Sequence, residues 1–190
     1  PDDLDLWLPR ILGAAESADL FALAETIPDF YLTIDKVAKV FTYDGCVVSR
    51  AVFRSAAGEN LSLSMEIEGK TETEANAGTF PSIAATLSTL QPYIFHQGVL
   101  TLGGATEEMI ACEISIDNVV NLDLFRNSQT RTHLPAGDRV VTLTVDVPYT
   151  SDETALYDPA VSGLTSSTVV FTNGSRSCTF TFGNLKAAAE

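Results

Sequence analysis

Residues 43–69 read YDGCVVSRAVFRSAAGENLSLSMEIEG, and the second half alternates without a break. Leu61, Leu63, Met65 and Ile67 share one parity, and Ser62, Ser64, Glu66 and Glu68 share the other. Strict period-two alternation predicts a strand with one face in a core and one in a polar environment. Two further segments repeat the pattern. Over residues 109–117, Ile110, Cys112, Ile114 and Ile116 alternate with Ala111, Glu113, Ser115 and Asp117. Over residues 138–149, Val141, Leu143, Val145 and Val147 alternate with Val140, Thr142, Thr144 and Asp146. The segment 46–54 is less regular: Val47, Ala51 and Phe53 share one parity, while Val48 and Val52 share the other with Arg50 and Arg54. Ala57-Gly58-Glu59-Asn60 supplies a turn between 46–54 and 61–68, with Gly58 free to take positive φ. The resulting hairpin presents a small acidic and hydroxyl surface on its far side.

The rest of the chain supplies more strands and a few helical stretches. Residues 31–42 hold two strand-like pieces around Asp35-Lys36, and residues 93–102 form another before a Gly103-Gly104 turn. TVVFT and SRSCTFTF flank Asn173-Gly174, the signal for a hairpin with a type I′ turn. Leu4, Trp7, Leu8, Ile11 and Leu12 stand near helical spacing, with Pro9 suited to opening a short helical turn. Leu20, Leu23, Ala24 and Ile27 line one face of a helix over 19–27, with Ser17 or Asp19 as cap and Pro28 as terminator. Short helices are also expected within 79–92, through Ile83, Leu87 and Leu90, and at 154–161. Residues 70–78 (KTETEANAG) read as an exposed loop, and 118–135 as a long polar loop whose length marks it as functional. Seven to nine short strands with one or two flanking helices predict a mainly β fold, a β-sandwich or partly closed barrel. The expected organisation is a helical N-terminal arm over residues 1–28 and a single β domain over 29–190.

A length of 190 residues with 45% hydrophobic and 19% charged positions supports one globular domain with a real core. The net charge of −14, from 25 acids and 11 bases, argues against a surface built to grip nucleic acid, and its bland reading is solubility. It is compatible with a surface that nucleic acid passes without sticking. No apolar run reaches the ~20 residues of a membrane span, and the acidic start PDDLDLW is not a signal peptide. Pro1 in place of Met reads as the start of a processed or excised piece. Cys46, Cys112 and Cys178 are odd in number and far apart, which fits small buried hydrophobes made in a reducing place rather than a disulfide framework.

Catalytic chemistry finds little purchase. His96 and His133 are the only histidines, so a multi-histidine zinc site is excluded. His96 reads as a strand residue with a satisfied hydrogen bond, and His133 as a surface contact. The cysteines lie on or beside buried-looking parities, where thiols are inert. Glu107-Glu108 and the Glu72/Glu74 pair read as solvated acids, and Glu72-Thr73-Glu74 lacks the further ligands calcium needs. Neither a GxSxG motif, a P-loop nor a dinucleotide fingerprint is present. No cofactor and no metal are expected, and the chain reads as a non-enzyme.

The stretch TIPDFYLTIDKVAKVFTYDGCVVSRAVFRSAAGENLSLSMEIEGKTET resembles the tail tube proteins of long-tailed, non-contractile bacteriophages. The match is carried by residues 34–39 and by Tyr43, Gly45, Cys46, Val48, Gly58, Leu61, Leu63, Gly69 and Lys70. TLGGATEEMIACEISIDNVV, AGDRVVTLTVDVPY and NGSRSCTFTFGNLK are similar to later strands of that family, so the resemblance spans roughly residues 4–186. It implies a β-sandwich subunit of hexameric rings that stack into a virion tail, assembled in the host cytoplasm. The implied partners are further copies, other tail proteins and genome DNA passing through an acidic lumen without specific binding. Glu66, Glu68, Glu113 and Asp117 are then lumen candidates. Trp7, Lys70, Glu72, Glu74, Phe125, Arg126, Arg131 and His133 are candidates for contacts between subunits or rings. The alternative is a β-sandwich adhesin or carbohydrate-binding module, which would need an aromatic platform that a single Trp in the arm does not supply. A β-rich hydrolase using Cys or acidic residues is the third reading.

Overall fold

The computed structural model describes residues 4–78, 80, 90–148 and 163–186. Its elements run α1 (Leu4–Leu12), β1 (Phe30–Asp35), β2 (Lys39–Ala56), β3 (Ser62–Glu68), β4 (Thr71–Asn76), a 3₁₀ turn (Phe95–Gln97), β5 (Gly98–Leu102), β6 (Ala105–Glu107), β7 (Ala111–Asp117), β8 (Val140–Asp146), β9 (Leu164–Asn173) and β10 (Arg176–Leu185). The class is mainly β, with two antiparallel sheets and one short helix among the described residues, consistent with a sandwich and not a closed barrel. The six-stranded sheet follows the order β1-β2-β7-β8, with β3 and β4 also paired to β2, and the four-stranded sheet follows β10-β9-β5-β6. The expected helices within 79–92 and at 154–161 lie outside the described residues, apart from the ends of the first.

The chain divides into two compact units, Pro1–Val52 with Ser64–Leu90 and Ser115–Thr142, and Phe53–Leu63 with Gln91–Ile114 and Leu143–Glu190. In the first unit β2 is the organising strand. β1 runs against its beginning with Thr33 opposite Thr42 and Phe30 opposite Cys46, and β4 pairs the same stretch from Lys39–Asn76 to Asp44–Thr71. The register slips between Phe30 and Leu32, at a bulge beside Gly45. Gly45 has φ +60, a conformation that strains a residue with a Cβ; the atoms nearest that missing Cβ belong to the flexible Lys70 side chain, so the backbone angle is what calls for glycine here. Ile11, Phe30, Val40, Cys46, Val47, Val48, Ala51, Ile116 and Leu134 are buried here. In the second unit Phe53, Tyr93, Leu100, Leu102, Cys112, Ile114, Val169 and Phe171 are buried. Phe53 of β2 meets Phe180 of β10 edge-on at 5.0 Å, a contact between the two sheets inside that unit.

The clean alternations are strands as predicted, and β7 shows the pattern best, with Cys112, Ile114 and Ile116 buried. Several readings are corrected. Residues 19–27 are not a helix: Ala18 (φ 53) and Asp19 (φ 60) make a tight turn, and Ser17 and Leu20 exchange backbone bonds of 3.0 and 3.1 Å across it. Pro28 has no N–H for the Ala24 carbonyl, so a helix would leave that acceptor unserved; here Nη2 of Arg139 donates to it at 3.0 Å. Residues 70–78 are not a loop but hold strand β4, whose Thr71, Glu72, Thr73 and Glu74 need no apolar face because the pairing is carried by the backbone on β2. His96 lies exposed in the 3₁₀ turn rather than in a strand, because the Gln97 side chain takes the Ile94 N–H at 3.1 Å and curls the backbone. The terminal hairpin turns at Gly174 and Ser175, with Arg176 opposite Asn173. Gly174 alone of these two has positive φ (64°), the II′ signature rather than I′. The described strands number ten, one more than the upper expectation, because β4 and the three-residue β6 carry no apolar signal.

Helix α1 runs through Pro9 instead of starting at it, and ends at Gly13, whose N–H bonds Pro9 O at 2.8 Å. Its last carbonyls are served from elsewhere. Asn118 is fully buried and donates Nδ2 to Ile11 O (3.2 Å) and to Val48 O of β2 (2.9 Å). Its Oδ1 accepts Nε of Arg139 at 2.6 Å, and Nη1 of Arg139 reaches Leu12 O at 3.1 Å. This cluster fixes the arm to β2. Asn118→Ala removes the shared partner of two carbonyls and a guanidinium, and is expected to cost about 2–4 kcal/mol of stability, the scale of buried polar groups left unpaired. Denaturant unfolding of the variant beside the parent chain measures it.

Candidate functional site

In the first unit β3 and β7 both pair with the second half of β2. Nη1 of Arg50 stands 3.9 Å from Oε1 of Glu66 on β3, and Nε donates to Oγ of Ser115 on β7 at 3.4 Å. These contacts set Arg50, Glu66 and Ser115 on one sheet face. The face is therefore not the purely acidic and hydroxyl surface expected from sequence: it carries a base at its middle. Arg50 and Glu66 are exposed, and such a pair is worth at most about 1 kcal/mol and weakens with salt.

The other acids of this pattern stand in different surroundings. Asp117 shares the parity of Ser115, but its Oδ1 accepts the Val119 N–H at 2.8 Å, closing the strand end while Val119 takes φ 46. Glu68 is half-buried, and its Oε2 lies 3.3 Å from Nη1 of Arg131. Glu113 lies on the stretch of β7 that belongs to the second unit and is half-buried. Glu66 is the one of the four with an exposed side chain.

The segment following β7 is a built structure. Arg131 donates Nε to Leu122 O (3.1 Å) and Nη1 to Gly69 O (3.2 Å) as well as to Glu68, and its guanidinium lies 6.0 Å from the Phe125 ring centre. Thr132 donates both its N–H and its hydroxyl to Leu124 O at 3.0 and 3.1 Å. Arg126 (φ 43) and Asn127 (φ 62) form a turn closed by Ser128 N–H on Phe125 O at 2.8 Å. The turn leaves Arg126 and His133 exposed and Phe125 at 40% exposure. Arg131 is thus an internal staple, whereas Phe125, Arg126 and His133 face outward.

Lys39 at the start of β2 pairs with Glu74 of β4 at 2.5 Å, and Lys70, just before β4, pairs with Asp29 at 3.2 Å. The Tyr43 phenol donates to Glu72, its cross-strand partner, and this bond to a carboxylate, with a smaller contribution from burial, raises the Tyr43 pKa. Trp7 is half-buried, edge-on to Phe30 at 5.6 Å, and Arg10 stacks on the same ring at 5.4 Å. An indole so engaged is not a bare sugar platform.

Burial pushes all three thiols up, Cys178 to about 11, so at neutral pH they are protonated and poor nucleophiles. Among the described residues no three His, Cys, Asp or Glu side chains gather as a metal site would require. What the surface offers is charge and hydrogen bonding spread over strand faces and loop tips.

A family model described as "Phage tail tube protein" matches residues 1–190. No curated protein matches the chain.

Two measurements follow from the ionisations. Glu72→Gln is expected to bring the Tyr43 pKa back toward its ordinary ~10, read as an earlier rise in phenolate absorbance on alkaline titration. The folded pKa is raised, so the bond to Glu72 contributes fully below the unfolded tyrosine pKa and is lost as pH climbs through the folded one. A thiol reagent at neutral pH is expected to label the native chain slowly and the denatured chain fully.

Proposed function

Since the chain belongs to the phage tail tube protein family, a family of structural tail components rather than enzymes, we propose that it is the repeating subunit of stacked hexameric rings forming a conduit for genome DNA. The observation that carries this reading is the one-sided polar face on β3 and β7, set on either side of β2. A face of carboxylates and hydroxyls suits a wall along which a polyanion slides. Glu66, Glu68, Glu113 and Asp117 are the proposed lumen acids. Arg50 among them is held between Glu66 and Ser115, which limits its grip on a passing phosphate.

The sheet edges support assembly. β10 has ten residues and, among the described residues, a partner strand on one side only. Long unpaired edges are templates for another chain, and in a ring the edge of one copy would meet the next. Trp7 with the rest of the arm, Lys70 just before β4, Glu72 and Glu74 on β4, and Phe125, Arg126, Arg131 and His133 are the proposed contact regions, Arg131 acting through the turn it holds. The partners are further copies, other tail proteins and transiting DNA. No described helix is long and apolar enough to cross a membrane. The place of action is the virion tail, with assembly in the host cytoplasm.

Electron microscopy of the purified chain tests the reading: six-fold rings or tubes are expected, and particles without a central channel would refute it. For the lumen, Glu66→Lys is the cleanest variant, because the side chain is exposed and its loss also frees Arg50. Virions carrying it are expected to assemble and to eject DNA more slowly; unchanged ejection would remove this face from the channel.

A further inference from the structure

Residues 13–23 form a small hairpin on the arm, bridged at Gly13–Leu23 and Ser17–Leu20. Its base is fixed. A Cβ on Gly13 would stand 2.6 Å from Thr26 O, so the returning chain passes as close as glycine allows. The Ala24 N–H bonds Leu12 O at 2.8 Å, and Arg139 holds Ala24 O. Its outward side chains are not covered, from the turn at Leu20 to the base at Leu23. Leu20 is 65% and Leu23 56% exposed, beside Glu16 and Asp19, and no cation pairs with either acid among the described residues.

The turn after β7 has the opposite character. Residues 124–133 (LFRNSQTRTH) contain two arginines and a histidine and no acid, in a chain with 25 acids against 11 bases; Arg131 is held by Glu68, so Arg126 is the exposed arginine of the turn. Phe125 and Arg126 stand outward on that turn. Both tips are built on non-glycine residues in the left-handed region, Ala18 and Asp19 on one and Arg126 and Asn127 on the other. Strain of this kind persists where the surroundings over-determine it, and it clusters at functional positions. The tips are complementary in charge and both expose apolar side chains, yet no ion pair joins them within the chain.

We infer that the acidic, leucine-bearing hairpin 13–23 of one copy docks on the basic, phenylalanine-bearing turn 125–133 of a second copy. Two different patches of one chain then meet, which makes the contact heterologous: it propagates around a ring or along a stack instead of stopping at a dimer. Leu20 and Leu23 would lie against Phe125, with Asp19 and Glu16 near Arg126 and His133. The inference rests on the self-assembly proposed above.

The test mixes two single variants, Leu20→Cys and Phe125→Cys, lets them assemble and oxidises the product. Each introduced cysteine is exposed, while the native thiols are protonated. A cross-linked dimer is expected from the mixture and from neither variant alone. Arg126→Glu is expected to weaken self-association several-fold, with its residual salt dependence reduced. Failure of the parent chain to assemble would defeat the underlying reading. Assembly of the parent with no cross-link in the mixture, or normal assembly by Arg126→Glu, would overturn the docking alone; so would a cross-link to a different tail protein.

Discussion

The buried amide of Asn118 and the guanidinium it accepts from are the constraint on which the first unit depends. The last carbonyls of a helix have no intrahelical donor and carry partial negative charge. In α1 these groups are Ile11 O and Leu12 O, and Asn118 and Arg139 serve them. Arg139 therefore needs no carboxylate: it finds the Asn118 oxygen, the helix end and the Ala24 carbonyl. Burial lowers its pKa, but from a starting value so high that it stays charged at any physiological pH. A lysine could not hold the same position, because its ammonium is a point charge while the guanidinium presents a planar fork to three acceptors. One amide thereby joins helix, central strand and the segment leading into β8.

The second constraint is the length of β2. Its 18 residues are enough to seat β1 and β4 on the first half and β3 and β7 on the second. A strand so shared cannot keep one inward parity throughout. Val40 is buried at the start, the run from Gly45 to Val48 is buried on both faces, and burial then falls on Ala51, Phe53 and Ser55. The bulge at Gly45 is where the phase changes. Past it, Arg50 is delivered to the same face as Glu66 and Ser115.

This explains what could be read from the sequence and what could not. β3, β7 and β8 were legible because each keeps one apolar, less exposed face along its length, although only that of β7 is fully buried. Arg50 was missed because β2 changes phase, so its parity could not be matched to that of β3. β4 was missed because a polar strand held by backbone bonds leaves no hydrophobic period. The arm failed in the opposite direction. Leu20, Leu23, Ala24 and Ile27 have helical spacing, but Pro28 and Arg139 decide the fate of the Ala24 carbonyl, and the leucines end up exposed. The Asn118–Arg139 bond joins residues on opposite sides of a long loop, and no periodicity announces such a pair. The segment following β7 could be marked as functional from its length, but the stapling role of Arg131 required seeing Glu68 and Gly69 beside it.

The placement of Arg50 also refines what an acidic wall means. Screening in physiological salt confines a charge to about 8 Å, so the net −14 of the chain is not what a passing phosphate would feel. It would feel the nearest few side chains. Around β2 these are an arginine shared between a carboxylate and a hydroxyl, and acids of which Asp117 and Glu68 are already engaged by their own loop. In the proposed conduit such a surface repels weakly and offers no unshared cation at Arg50. Low friction would then come from pairing Arg50 locally, more than from accumulating negative charge. A strongly acidic wall without internal pairing would raise repulsion between copies as well as toward DNA, and would work against assembly.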